Sequence, residues 1–245
     1  MQKHLKTLAY SGTVAAIGCA SAWAQSTLYD DSGLVNGAVF AMSNGQAVGN
    51  EVTAAAGTAW SLSQFVIEYD NAGSSSLSAT AAVDVNFYAN DGATINGFYS
   101  PGTLLYSSGA ITLGSLGGAG TGPENITYTT SDFAAGATGA WNPQYTVPNT
   151  FTFTVTFTGL QAGDDIELPL ANSVNNGTAE SYGTYWFNDN GAGWQYLQYN
   201  GGATPANLEV QLEGTITSVP EPTTLGMAAV GGALLFGAGR LRRKI

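Results

Sequence analysis

Between residues 25 and 218 the chain has no lysine, arginine, histidine or cysteine. All six basic residues stand at the two ends: Lys3 and Lys6 in front, Arg240, Arg242, Arg243 and Lys244 behind. The single histidine, His4, and the single cysteine, Cys19, also belong to the leading segment. Each absence excludes a chemistry. Without cysteine there is no disulfide, and without cysteine or histidine there is no zinc-type metal site. A serine nucleophile would lack its histidine base, and neither a Schiff-base lysine nor a thiolate is on hand. The stretch therefore reads as non-enzymatic. Sixteen of the 17 acids fall inside it, so with no base to oppose them its formal charge is −16. No salt bridge can form within it, and apolar burial and hydrogen bonds must hold it together. Such a surface repels nucleic acid, which is bound through lysine and arginine set against phosphate. It repels anionic polysaccharide too, unless divalent cations bridge the two.

What is present at the ends is addressing information. Residues 1–24 have the three parts of a secretory signal peptide: a basic start, an apolar stretch from about Leu8 to Ala20, and the small-residue pattern Ala22-Trp23-Ala24 before Gln25. Passage through the Sec translocon and cleavage by signal peptidase after Ala24 are expected. Gly18-Cys19 resembles the end of a lipid-attachment box, but Ala16 stands where such boxes prefer leucine. At the far end, Val219-Pro220-Glu221-Pro222 precedes an apolar stretch, and Arg240, Arg242, Arg243 and Lys244 then close the chain. Thr223 to Gly239 is 17 residues, the short end of what crosses a bilayer at ~1.5 Å per residue. The basic tail should stay cytoplasmic and stop translocation. The two prolines resist helix and leave the motif extended just outside the membrane.

In order, spacing and position, residues 219–245 resemble a PEP-CTERM sorting signal, with the motif at 219–222, a transmembrane helix at 223–239 and a basic tail at 240–245. The resemblance implies recognition and removal of the tail by an exosortase, a membrane-embedded processing enzyme. It also implies an anchor in the inner membrane until that cut. The final place would be the surface or extracellular matrix of a Gram-negative bacterium that makes exopolysaccharide. A permanent C-terminal anchor is the plainer alternative.

The middle, residues 25–218, reads as one domain. Thr150 to Thr158 alternates strictly, with Phe151, Phe153, Val155 and Phe157 on one face and threonines on the other, the period of a strand with one buried face. Val83, Val85 and Phe87 repeat the pattern, as do Leu208, Val210 and Leu212. Trp60–Tyr69, Leu104–Tyr106, Ile126–Thr130, Tyr182–Phe187 and Trp194–Tyr199 are further strand candidates. Turn chemistry separates them at Asn71-Ala72-Gly73, Asn90-Asp91-Gly92 and Asn190-Gly191. The fold class is all-β, a single jelly-roll-like β-sandwich. The run from Phe87 to Gly92 and the run from Pro101 to Tyr106 also resemble a pattern that recurs in ectodomains of PEP-CTERM proteins, which supports fold and location without adding an activity.

Two candidate sites compete with plainer readings. Tyr182, Tyr185, Trp186, Trp194, Tyr196 and Tyr199 could stack on the apolar faces of sugar rings, as a lectin-like carbohydrate-binding module would. Alternation sends half of them into the core, so Trp186 and Trp194 read as core or hairpin residues and exposed tyrosines as the contacts. Asp164, Asp165 and Glu167 offer hard oxygens to calcium, against the plainer reading of solvated turn acids. A glycosidase would need two carboxylates facing each other across a cleft, which sixteen acids make easy to imagine and hard to credit. The functional expectation is an exosortase-sorted surface or matrix protein with a structural or adhesive role beside exopolysaccharide.

Overall fold

The computed structural model describes residues 26–31, 35–53, 59–116, 120–129, 146–148, 150–172, 178–179 and 183–217. The strands, in chain order, begin with β1 (Ser26–Asp30), β2 (Val35–Met42), β3 (Gln46–Thr53), β4 (Ala59–Asn71), β5 (Ala82–Ala89), β6 (Thr94–Ile95), β7 (Phe98–Tyr99), β8 (Leu104–Ser107) and β9 (Ile111–Thr112). They continue with β10 (Gly122–Thr129), β11 (Thr146–Val147), β12 (Thr150–Thr158), β13 (Ile166–Ala171), β14 (Thr178–Ala179), β15 (Thr184–Asp189), β16 (Trp194–Gln198), β17 (Asn207–Leu208) and β18 (Val210–Thr217). Two 3-10 turns, Leu113–Leu116 and Tyr199–Gly202, are the helical elements among the described residues.

The strands form two antiparallel sheets and one small hairpin. In the first sheet the order is β1-β18-β4-β13-β17, with β10 and β11 on the other edge of β4 and β2 on β13. In the second it is β16-β15-β3-β12-β5-β8, with β14 on β3 and β9 on β5. The longer strands alternate between sheets as the chain proceeds: β3 lies in the second, β4 in the first, β5 in the second, β10 in the first, β12 in the second and β13 in the first.

The period-2 patterns explain why these sheets face one another. Phe151, Phe153, Val155 and Phe157 of β12 are buried together with Val83, Val85 and Phe87 of β5. Opposite them, β4 offers Phe65, Ile67 and Tyr69. Phe65 lies 5.6 Å from Phe153 and 5.9 Å from Phe87, ring centre to ring centre, and Tyr69 lies 5.8 Å from Phe157. These tilted and edge-on contacts are the favoured aromatic geometries. One buried polar residue also ties the layers. Asn50 of β3 donates to the carbonyls of Thr184 and Ala206 and accepts from the amide of Leu208 in β17. Most of the expected strands are present, including β12 with the range read from the sequence; the run through Leu208, Val210 and Leu212 is divided at Glu209 between β17 and β18, and Thr130 and Tyr182 fall outside the described residues. The expected all-β fold of antiparallel sheets is met.

β1 closes the first sheet through an unusual contact. Asp31 is fully buried, accepting from the amide of Val210 at 2.6 Å and from the Tyr29 hydroxyl at 2.9 Å. Burial pushes its carboxyl up to about 8 against those two hydrogen bonds, and the neighbouring acids Glu209 and Asp30 add to the rise. The same pairing brings the two ends of the domain together, since Ser26 stands opposite Gly214.

Candidate functional site

The outward face of β12 is a departure from the sequence pattern. Thr152 and Thr154 should meet solvent, yet both are buried. The cover is aromatic. Trp186 of β15 stands opposite Gly49 of β3, and Gly49 stands opposite Thr154 of β12. A Cβ at Gly49 would come within 1.9 Å of the Phe153 carbonyl oxygen, so no side chain fills that position. Trp186 is fully buried and lies 4.8 Å from Tyr196. Tyr88 of β5 meets Trp194 of β16 edge-on at 5.5 Å, although β12, β3 and β15 run between their strands. A flat sheet would hold the two backbones about 19 Å apart at ~4.8 Å per strand. The outer face of the second sheet is therefore concave.

The hairpin of β6 and β7 sits in this hollow. Asn96 and Gly97 both take positive φ, at 54° and 92°, the geometry of a tight two-residue turn. Phe98 stacks on Tyr196 at 4.5 Å, and Asn96 donates to the Tyr196 carbonyl at 3.5 Å, so the tip is held against β16. A groove opens on each side of Phe98. One, of about 340 Å³, is lined by Glu51, Asn90, Gly97, Phe98, Tyr99 and Thr150. The other, of about 410 Å³, is lined by Asn96, Phe98, Thr184, Tyr196, Leu197 and Gln198. Among the described residues Glu51 is the single acid in either lining. The Asn90 amide donates to it, and Thr152 in turn donates to Asn90 at 2.8 Å, which fixes the amide orientation. Partial burial pushes the Glu51 carboxyl up to about 7. Tyr99, 61% exposed, forms the outer wall. Amides, hydroxyls, one carboxyl and flat aromatic edges, with no cation, suit a neutral ligand rich in hydroxyl groups.

The C-terminal segment lies outside the described residues and is read by comparison. A family description of the PEP-CTERM protein-sorting motif matches residues 218–244. The chain carries a PEP-CTERM sorting motif. It is thereby marked as an exported protein, membrane-anchored and then processed by an exosortase. No curated protein and no solved structure matches the chain. Among the described residues no helix is long and apolar enough to cross a membrane; the expected span at 223–239, the signal peptide at 1–24 and the cleavage residues Ala22, Ala24 and Gln25 all fall outside them.

Five of the six aromatic residues considered as a sugar platform are described, and their rings are buried or half-buried. Tyr185, Trp186 and Tyr196 are buried. Tyr185 points into the core, 5.2 Å from Phe40 of β2, whereas Trp186 and Tyr196 face the hollow and are roofed over by its curvature and by Phe98. Trp194 is half-buried against Tyr88, and the Tyr199 hydroxyl donates to the Val39 carbonyl at 2.9 Å. Tyr182 lies outside the described residues. Of the five described, Tyr196 lines a groove, and the other described lining residues were not among the candidates. Asn96-Gly97, a strong short-range hairpin signal, was the feature that could have drawn attention to Phe98 and Tyr99.

Of the acids considered for calcium, Asp164 is taken up by hydrogen bonds. Asp164 accepts from the Ser78 amide and hydroxyl at 2.9 and 2.7 Å and from the Gln161 amide at 2.7 Å. Desolvation works to raise its carboxyl, but those hydrogen bonds prevail and hold it below the usual range. Its oxygens thus pin two loops together. Asp165 is exposed and Glu167 faces outward from β13. Among the described residues no three acids gather where a metal ion could sit.

Proposed function

We propose that this exported, exosortase-sorted chain is a structural and adhesive component of an exopolysaccharide-rich layer at the surface of a Gram-negative bacterium. It would do this without catalysis, as a jelly-roll-type sandwich that holds neutral glycan in the grooves beside Phe98. The observation that carries the reading is the pair of grooves itself. They sit in a concave sheet face, their polar atoms among the described residues are amides, hydroxyls and one carboxyl, and aromatic rings wall them. A glycosidase works with two carboxylates roughly 5–10 Å apart, and among the described residues these linings supply one, Glu51. A lectin-like module that binds glycan without belonging to the layer is the second reading, favoured by the same grooves.

The first test is binding of the full chain to a glycan array and to exopolysaccharide from its own cells. Retention on neutral glycans, reduced by Tyr99→Ala, is the expected result. Cleavage of a glycan, abolished by replacing two acids, would overturn the non-enzymatic reading. Localisation separates the two binding roles. An adhesive component stays in the washed matrix, and a free lectin is recovered in the medium.

A further inference from the structure

The two grooves share one wall and lie along one line across the sheet. Phe98 lines both, and the hairpin tip divides its residues between them: Gly97 faces the groove of Glu51, and Asn96 faces the groove of Gln198. The strand register sets them on a common transverse row. Thr184 pairs with Gln198 across β15 and β16, and Glu51 pairs with Thr152 across β3 and β12. Trp186, two residues after Thr184, stands opposite Gly49, two residues before Glu51, so Thr184 and Glu51 share the same level of the antiparallel ladder. Glu51 and Thr184 stand on adjacent strands, and from Glu51 on β3 to Gln198 on β16 is two strand spacings, about 10 Å. The ridge between is rigid, because Phe98 is stacked on Tyr196, and the Tyr196 hydroxyl is in turn hydrogen-bonded to Thr184 at 2.8 Å.

Resting on the glycan-binding reading, we propose that the hollow is a two-subsite cleft for the interior of a linear, neutral polysaccharide, which lies across the strands and passes over Phe98. Each groove holds one section of chain. Glu51, Asn90 and Tyr99 engage the first, while Asn96, Thr184 and Gln198 engage the second. Phe98 presents its ring to the sugar face that crosses the ridge. Both grooves open to solvent, so the polymer can continue beyond either end and no chain terminus is needed. The absence of any cation between residues 25 and 218 disfavours uronate-rich polymers at the same cleft.

The test is a length series. The full chain is titrated calorimetrically with glucose, cellobiose, cellotetraose and cellohexaose, and with a size ladder prepared from the exopolysaccharide of its own cells. Affinity is expected to climb at least tenfold from disaccharide to tetrasaccharide length, with little further gain beyond. Glu51→Gln and Gln198→Ala, each altering one groove, should each remove most of that gain and leave disaccharide binding near the starting level. Equal affinity for mono-, di- and tetrasaccharide would overturn the two-subsite cleft while leaving glycan binding in place. A length gain that neither variant reduces would place the polymer elsewhere on the domain and overturn it as well. Binding of none of these ligands would sink the glycan reading and the cleft together. Unchanged circular dichroism and urea midpoint for each variant separate lost contact from lost fold.

Discussion

Asp31 shows how a domain without cations handles a carboxyl it has buried. No positive charge can come to it, so two hydrogen-bond donors, the Val210 amide and the Tyr29 hydroxyl, are its partners, and burial keeps the proton on to about pH 8. Its unfolded value is near 3.8. Because the folded value is raised, the folded state binds the extra proton. The stabilisation is fully present below the unfolded value and disappears as pH rises through the folded one. Glu51 acts in the same direction between 4.5 and about 7. The thermal midpoint should therefore be highest on the acid side and fall steadily between pH 5 and pH 9. Asp31→Asn should flatten most of that slope in a series of calorimetric scans; a midpoint that rises with pH would contradict the assignment. Trp186 makes a separate point. It lies outside the core between the two sheets yet is fully buried, so Trp186→Ala should cost about 3–5 kcal/mol in urea unfolding. A loss near zero would mean the hollow is open.

Among the elements, β12 was the most legible. Four apolar residues alternating with threonines can satisfy only a strand with one face on a core, and the neighbours β3 and β5 pair along its length. The turn between β15 and β16 was legible for the same kind of reason. Asn190 and Gly191 adopt φ values of 51° and 82°, which few other residue pairs tolerate. β6 and β7 were not legible, because two residues each give no period to read. Glu51 was hidden for another reason. Nothing local distinguishes it from the other acids, and its environment is assembled from Asn90, Phe98 and Thr150, distant in sequence. Burial of Thr152 and Thr154 was likewise not readable from β12 itself. Loop geometry makes its own prediction at this scale. Gly159 follows β12 with φ at +68°, and an added Cβ would sit 2.0 Å from the Thr80 carbonyl oxygen. Gly159→Ala should destabilise by more than the roughly 1–2 kcal/mol that a left-handed residue costs by itself. A urea midpoint equal to that of the unaltered protein would show that the loop simply moves aside.

At the scale of the molecule, the charge is the dominant fact. Sixteen acids with no base between residues 25 and 218 repel one another in the folded state more than in the expanded chain. Screening should relieve this. Raising sodium chloride from ~0.01 M to ~1 M shortens the Debye length from about 30 Å to about 3 Å, and the thermal midpoint should climb with it. A midpoint that falls would mean that some ion-dependent contact had been overlooked. Processing is read at the same scale. Intact mass of protein from its own cells is expected to show loss of residues 1–24 and a cut near Pro220–Pro222. A chain still ending at Ile245 would leave it a permanently anchored ectodomain.

The tail also has a mechanical meaning. It continues from the end of β18, a strand paired with β1 on one side and β4 on the other. Tension arriving through that end acts along the strand. The two ladders then resist sliding with all their hydrogen bonds sharing the load, instead of parting one at a time. A polymer gripped on the second sheet would transmit its pull across the Phe65–Phe153 contact. The layer between grip and tether is thus the aromatic core shared by the two sheets, and the domain is built like a lap joint.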